Sequence, residues 1–175
     1  ELERLSWSGL GALAAAFVLV GGMWWAYFHH SYDLIEHYIG HARTPFLAVR
    51  TLLAYGHLVL AAGLIALAVG LHHVMAEPLH RVPAEPAALL CGGVIVFFAM
   101  FAVIRLRNAR RVYRSRFAAC LLCLLLIPVG TRVSGTALVG LLALVITAGC
   151  VWETLAPASA GVPGREELAD VAARA

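Results

Sequence analysis

The stretch LGALAAAFVLVGGMWWAYF, residues 10–28, decides the class of fold, because it carries no charged side chain. A helix needs about 20 apolar residues to cross the hydrocarbon core of a bilayer. The stretch ends in the aromatic residues Trp24, Trp25, Tyr27 and Phe28. Such belts form where a transmembrane helix meets the lipid headgroups. The sequence therefore predicts a transmembrane helix over residues 10–28.

The rest of the chain has the same apolar character. Of its 175 residues, 62% are hydrophobic and 13% are charged, and that charged share is about half the share in a soluble domain. Four further apolar runs cover residues 46–74, 87–104, 117–129 and 133–152. We therefore predict an all-α fold, a polytopic membrane helix bundle with about five transmembrane helices. One domain, residues 1–155, would hold the bundle, and residues 156–175 would form a mobile tail.

A cluster of arginines between the third and fourth apolar runs predicts the orientation in the membrane. Its members are Arg105, Arg107, Arg110, Arg111, Arg114 and Arg116. Short loops rich in basic residues stay in the cytoplasm, so this basic loop and the C-terminus are predicted to be cytoplasmic. We expect a multi-pass protein of the bacterial inner membrane whose basic loop contacts anionic lipid headgroups. Topology alone explains the arginines, so no nucleic acid is predicted as a partner.

Two short motifs resemble a known family. Residues 24–28, WWAYF, resemble the WW-x-YF element of the bacterial low temperature requirement A (LtrA) membrane proteins, and residues 55–58, YGHL, resemble their Y-x-H-L segment. The resemblance covers residues 20–152, although His29 stands where the family often has an acidic residue. It implies a multi-span protein about twice as long, with this chain as its C-terminal half. A missing N-terminal half or a homo-oligomer would then complete the protein.

His57 is the strongest single candidate for a functional residue, because it lies inside the second apolar run. An ionisable group at that depth is expected to face a protein interior or a water-filled cavity. Arg50 is seven residues earlier, on the same face of an α-helix, whereas Tyr55 is rotated by about 200°. We assign Arg50, Tyr55 and His57 to a polar intramembrane seam. The seam would relay protons or ions, or hold a cofactor; alternatively, His57 is neutral and donates to a carbonyl of a neighbouring helix.

A second set of polar residues has the spacing of metal ligands. His29, Asp33, His37 and His41 follow one another at intervals of four residues, which on a helix lets two side chains grip one ion. Imidazole with carboxylate suits zinc, but at most two or three of the four positions can share an ion. The alternative is a solvated polar face. Haem is a further reading, in which His57 and His72 would each need a histidine on a facing helix.

No catalytic residues are predicted, because no serine or cysteine has a plausible base partner and no glycine-rich phosphate loop is present. The cysteines, including Cys120 and Cys123, lie in apolar runs and are interpreted as small membrane residues, and glycines such as Gly63 as contacts for close helix packing. The predicted function is membrane transport or membrane homeostasis through the polar seam, and not an enzyme activity. The alternative is a metal- or haem-binding membrane redox protein that uses the histidine clusters.

Overall fold

The part of the chain that the structure describes contains five α-helices, which confirms the predicted all-α helix bundle. The computed structural model describes residues 7–40, 50–109 and 114–155, and the side chains of residues 7–28, 50, 54–100 and 116–155. The helices are α1 (Trp7–Gly40), α2 (His57–Ala76), α3 (Ala84–Ala109), α4 (Arg114–Gly130) and α5 (Gly135–Leu155). A π-helical segment, Arg50–Gly56, leads directly into α2. The predicted tail, residues 156–175, lies outside the described residues.

Three stretches are long and apolar enough to cross a membrane, namely Trp7–Phe28, Ala54–Ala76 and Gly135–Leu155. They correspond to the first, second and fifth predicted spans. Ala84–Met100 and Arg116–Gly130 are apolar but shorter, so five crossings remain a prediction. The helix bounds depart most from the predicted spans at two places: α1 continues beyond residue 28 to Gly40, and the second span becomes α-helical only at His57.

The five helices form a ring with one loose joint. Helix α2 packs closely on α3, α3 on α4, α4 on α5, and α5 on α1, whereas α1 and α2 touch only lightly. The core lies between these helices and is apolar, with Leu19 and Met23 from α1, Leu90 from α3, and Leu142 and Ile146 from α5. Since apolar side chains gain little by leaving lipid for protein, close fit rather than hydrophobicity holds such a bundle together.

Glycines allow the closest fit, at the crossing of α2 and α3. A Cβ atom on Gly93 would lie 2.6 Å from the carbonyl oxygen of Gly63 and 2.7 Å from the backbone nitrogen of Leu67. One on Gly63 would lie 2.9 Å from the carbonyl oxygen of Gly93. The two backbones therefore touch where neither helix has a side chain, as small residues permit in membrane bundles.

The two ends of the ring are closed in different ways. At one end, here called the loop end, the α2–α3 loop (residues 77–83) lies against the α4–α5 turn (residues 131–134). The backbone nitrogens of Gly135 and Thr136 donate to the carbonyl oxygens of His80 and Pro78, each at 3.0 Å. The Thr136 hydroxyl also donates to the Pro78 carbonyl at 2.9 Å. The opposite end, here called the arginine end, is where α3 ends and α4 begins.

Candidate functional site

An ion pair lies inside the bundle at the arginine end. The Arg116 side chain is 4% exposed and that of Glu153 is 6% exposed. Arg116 Nε donates to Glu153 Oε1 at 3.1 Å, and Arg116 Nη2 donates to Oε2 at 3.3 Å. Both carboxylate oxygens are thus engaged by one guanidinium group, and such two-point contacts fix orientation as well as distance.

Four helices meet around this pair. Helix α4 supplies Arg116 and α5 supplies Glu153, while Arg116 Nη2 also approaches the carbonyl oxygen of Ala26 on α1 at 3.4 Å. The guanidinium carbon lies 6.0 Å from the ring centroid of Phe98 on α3, at the outer limit of a cation–π contact. Each helix except α2 therefore contributes to the position of the Arg116 side chain.

A small pocket lies beside the ion pair. Its lining is mostly apolar: Ala26, Phe98, Arg116, Ala119, Ile146, Gly149, Cys150 and Glu153. The space open to the centre of a water molecule is about 10 Å³, close to the minimum for holding one water. The pocket is therefore about the size of one water molecule.

The helix macrodipoles oppose both charges of the pair. Arg116 is the third residue of α4, at its positive N-terminal end, and Glu153 is two residues before the end of α5, at its negative C-terminal end. Each placement is unfavourable by about 0.3–1 kcal/mol in exposed helices. The ion pair therefore persists because the two groups neutralise each other, and not because the helices favour either charge.

A second polar contact bridges the loose joint between α1 and α2. The Tyr27 hydroxyl and His57 Nε2 lie 3.0 Å apart, within hydrogen-bonding distance, and the rings meet edge to face with centroids 6.2 Å apart. Tyr27 follows Ala26 directly in the sequence, so α1 touches both polar pairs within two residues. The two pairs thus form one polar layer at the arginine end.

The predicted seam of Arg50, Tyr55 and His57 is only partly assembled. His57 takes part in the Tyr27 contact, but the side chains of Arg50 and Tyr55 are exposed, Tyr55 by 59%. Arg50 and His57 would share a face only on an α-helix over residues 50–57, and that prediction of an α-helix is wrong. Residues 50–56 form a π-helix, whose i→i+5 hydrogen bonds change the angle between successive side chains.

The predicted aromatic belt divides between the surface and the polar layer. Trp24 and Trp25 are exposed, by 59% and 46%, as expected of residues that meet lipid headgroups. Trp24 stacks on Phe28, with ring centroids 5.0 Å apart. Tyr27 is half-buried and turns towards His57. Tyr27 is therefore better described as a member of the polar layer than of the belt.

The side chains of the four predicted metal ligands lie outside the described residues. His29, Asp33 and His37 belong to the part of α1 whose side chains are outside the described residues, and His41 lies outside them entirely. Across the residues whose side chains are described, no group of three or more histidine, cysteine or acidic side chains is placed to hold a metal ion. His72, the other candidate for haem, is exposed on α2.

The predicted basic loop is shorter than expected. Arg105 and Arg107 belong to α3 and Arg114 begins α4, while Arg110 and Arg111 lie outside the described residues. Arg116 is not in a loop, and its buried side chain is paired with Glu153. This pair was not predicted from the sequence, although Arg116 and Glu153 occur at the same predicted end of neighbouring apolar runs. Opposite charges placed in this way are the signal that could have revealed it.

The apolar helices define the chain as an integral membrane protein of the all-α class, in which the Arg116–Glu153 pair is buried and the Tyr27–His57 contact is exposed. The family described as bacterial low temperature requirement A protein (LtrA) matches residues 1–151. The chain therefore belongs to the LtrA family, and the resemblance seen in the two sequence motifs is confirmed. No solved structure matches this chain.

A curated relative shows how much of such a protein this chain covers. The chain is 29% identical over 159 residues to an uncharacterized protein of Rhizobium meliloti (strain 1021). The match covers 89% of this chain and 37% of the relative. This chain thus spans little more than a third of the length of that relative.

Proposed function

We propose that this chain is a membrane transport module that relays protons through the polar layer at the arginine end. The buried Arg116–Glu153 pair carries the proposal. Replacing a buried ion pair with apolar side chains often leaves stability unchanged or improves it. Ionisable groups inside membrane bundles also mark ion paths and proton relays more often than structural contacts. A transport role therefore accounts for this pair better than a purely structural role does.

The second polar pair supplies the groups that a relay needs. A tyrosine hydroxyl and an imidazole each donate and accept a hydrogen bond, and the Tyr27 and His57 atoms lie 3.0 Å apart. The α1 backbone joins this pair to the carbonyl of Ala26, which Arg116 contacts. A proton on His57 therefore lies beside Tyr27. The preceding residue, Ala26, contacts Arg116, which is the partner of Glu153.

The proposed arrangement in the membrane follows the arginines. The proposed protein is a multi-pass protein of the inner membrane with five crossings. Its arginine end and C-terminus lie in the cytoplasm, which agrees with the positive-inside rule. The polar layer would then lie near the cytoplasmic surface, and arginines outside the bundle would contact anionic headgroups. The metal- or haem-binding alternative gains no support from the residues whose side chains are described.

Proton flux into sealed vesicles tests the proposal. The protein is reconstituted into vesicles of phosphatidylethanolamine and phosphatidylglycerol that contain a trapped pH-sensitive dye, and a pH gradient is imposed with the membrane potential clamped. We expect wild-type protein to speed the collapse of the gradient and His57→Ala to return the rate to that of protein-free vesicles.

The matched control for His57→Ala is His72→Ala, which changes an exposed histidine near the other end of the same helix. It should leave the flux at the wild-type rate. Circular dichroism and size-exclusion chromatography check that both variants keep the fold. A folded His57→Ala protein that conducts protons as fast as wild type would remove His57 from the path.

A further inference from the structure

We infer that the Arg116–Glu153 pocket is an anion site, in which a planar monovalent oxoanion replaces the Glu153 carboxylate on Arg116 when Glu153 takes up a proton. The inference rests on the proposed transport function and deepens it, because it names the class of solute that would move with the proton. Its own test is a binding measurement, so it can fail while proton flux persists, and it can hold if flux is absent.

The geometry of the pair already presents an anion position. Arg116 Nε and Nη2 each face a different carboxylate oxygen, at 3.1 and 3.3 Å. A planar oxoanion such as nitrate or a small monocarboxylate offers the same two coplanar oxygens to the guanidinium fork. The carboxylate of Glu153 thus occupies a place that the fork has the geometry to offer to a free oxoanion.

Arg116 is held by contacts that do not depend on Glu153. Ala26 accepts a hydrogen bond from Nη2 across the α1–α4 interface, and the Phe98 ring of α3 lies beside the guanidinium group. Glu153 stands in the last turn of α5, where helices fray most readily. Fraying of that turn would move the carboxylate while Arg116 keeps its contacts with α1 and α3.

The charges around the pocket favour the exchange. The N-terminal end of α4, where Arg116 lies, attracts anions, while the C-terminal end of α5 repels the carboxylate of Glu153. The remaining lining residues are mostly apolar, so the guanidinium charge favours a negative neighbour once Glu153 is neutral. A bound anion supplies that neighbour, and protonation and anion binding become linked.

The proposed exchange conserves charge in the pocket. One proton passes from water to a carboxylate oxygen of Glu153, and one monovalent anion enters the pocket, so the charge in the site is unchanged. Besides the pair itself, Cys150 of α5 is the titratable side chain that lines the pocket, and its Sγ contacts the carbonyl oxygen of Gly22 at 3.6 Å. The residues from α1 and α3 in the lining, Ala26 and Phe98, do not titrate.

Nitrate binding to purified protein in detergent tests the inference. Thermal unfolding is followed during titration with sodium nitrate at mildly alkaline pH, where Glu153→Gln mimics the protonated side chain. We expect this variant to bind nitrate about 5- to 150-fold more tightly than wild type, the usual range of coupling between linked sites. The double variant Arg116→Gln/Glu153→Gln should lose the nitrate effect while it retains any general effect of salt.

The wild-type protein provides a second measurement that does not depend on the folding of a variant. Its affinity for nitrate should be higher at the lowest pH at which the fold is retained than at mildly alkaline pH, because only the protonated Glu153 vacates the guanidinium group. Equal affinity at both pH values would overturn the inference, and so would equal nitrate responses of the single and double variants. Either result leaves the His57 flux experiment, and with it the proposed relay, to be judged separately.

Discussion

The two ends of the bundle are fastened by different chemistry. The loop end is closed by backbone hydrogen bonds from Gly135 and Thr136 to the carbonyls of the α2–α3 loop. The arginine end is closed by side chains that can gain or lose a proton, in the pairs Arg116–Glu153 and Tyr27–His57. The loop also carries an exposed contact of 3.7 Å between His80 and Glu77, but the bonds that close this end run through the backbone. We therefore regard the loop end as a fixed anchor and the arginine end as the one whose closing contacts involve titratable side chains.

The largest effect is expected at the arginine end, from Arg116→Ala. The substitution leaves the Glu153 carboxylate buried without its guanidinium partner, and breaking a buried pair in this way costs about 3–5 kcal/mol. Chemical unfolding in mild detergent measures the change in the free energy of unfolding.

The control for this prediction is Arg132→Ala, which removes an exposed arginine in the α4–α5 turn at the loop end. Its expected effect is within about 0.5 kcal/mol. If both arginine variants lose the same stability, the contrast between the two ends is not supported.

The next effect concerns the glycine crossing, which lies between the two ends. In Gly93→Ala the new Cβ would meet the Gly63 carbonyl oxygen, and overpacking of this kind costs about 1–3 kcal/mol. Unfolding of the variant in detergent gives the value.

Gly92→Ala is a matched control for the crossing, because a Cβ on Gly92 has no neighbour within 4 Å. Here alanine should be neutral or stabilise the helix by up to about 1 kcal/mol. An equal loss of stability in the two variants would show that helix propensity, and not contact between α2 and α3, determines the result.

At the loop end, Thr136→Val should cost about 0.5–1.5 kcal/mol, because the Pro78 carbonyl loses one of its two donors. The cost should be the same at every pH at which the fold is stable, since no titrating group takes part. Thr154→Val, whose hydroxyl bonds to Val151 within the exposed face of α5, is the comparison. A strongly pH-dependent loss for Thr136→Val would contradict the description of this end as a fixed anchor.

The smallest effect on stability is expected for Tyr27→Phe. Hydrogen bonds between membrane helices contribute about 0.6 kcal/mol on average, so the variant should unfold almost like wild type. Its proton flux in vesicles should nevertheless fall, since the hydroxyl that faces His57 is lost. Tyr55→Phe, at an exposed position, should change neither quantity, and normal flux in Tyr27→Phe would exclude the hydroxyl from the relay.

Much of the fold was predictable because apolar runs of membrane length have few alternatives to helices. The runs that became α1, α2 and α5 are visible in the sequence, and Gly63 could be assigned to helix packing before its partner was known. The π-helical segment could not be predicted, because hydropathy does not distinguish i→i+5 from i→i+4 hydrogen bonding. For this reason the prediction that Arg50 and His57 share one helix face was wrong.

The candidate site was less predictable, because its partners are far apart in the sequence. His57 stood out as an ionisable residue in an apolar run, but Tyr27 looked like part of the aromatic belt. Arg116 looked like one of six arginines that set the topology, and its contact with Glu153 depends on how α4 and α5 pack. Patterns of single residues thus identified the groups with unusual environments, whereas pairing required the three-dimensional arrangement.

The unequal lengths of the helices have a consequence for the surrounding lipid. Helix α4 has 17 residues and is about 25 Å long, while α1 has 34 residues and is about 51 Å long. The hydrocarbon core of a bilayer is about 30 Å thick, so if α4 crosses the membrane as predicted, we expect the lipid beside it to thin or the polar end of α4 to be drawn inwards. Mismatch costs a fraction of a kcal/mol for each ångström. The Arg116–Glu153 pair stands at the end of this short helix, and its free energy would then depend on bilayer thickness and thereby on lipid composition.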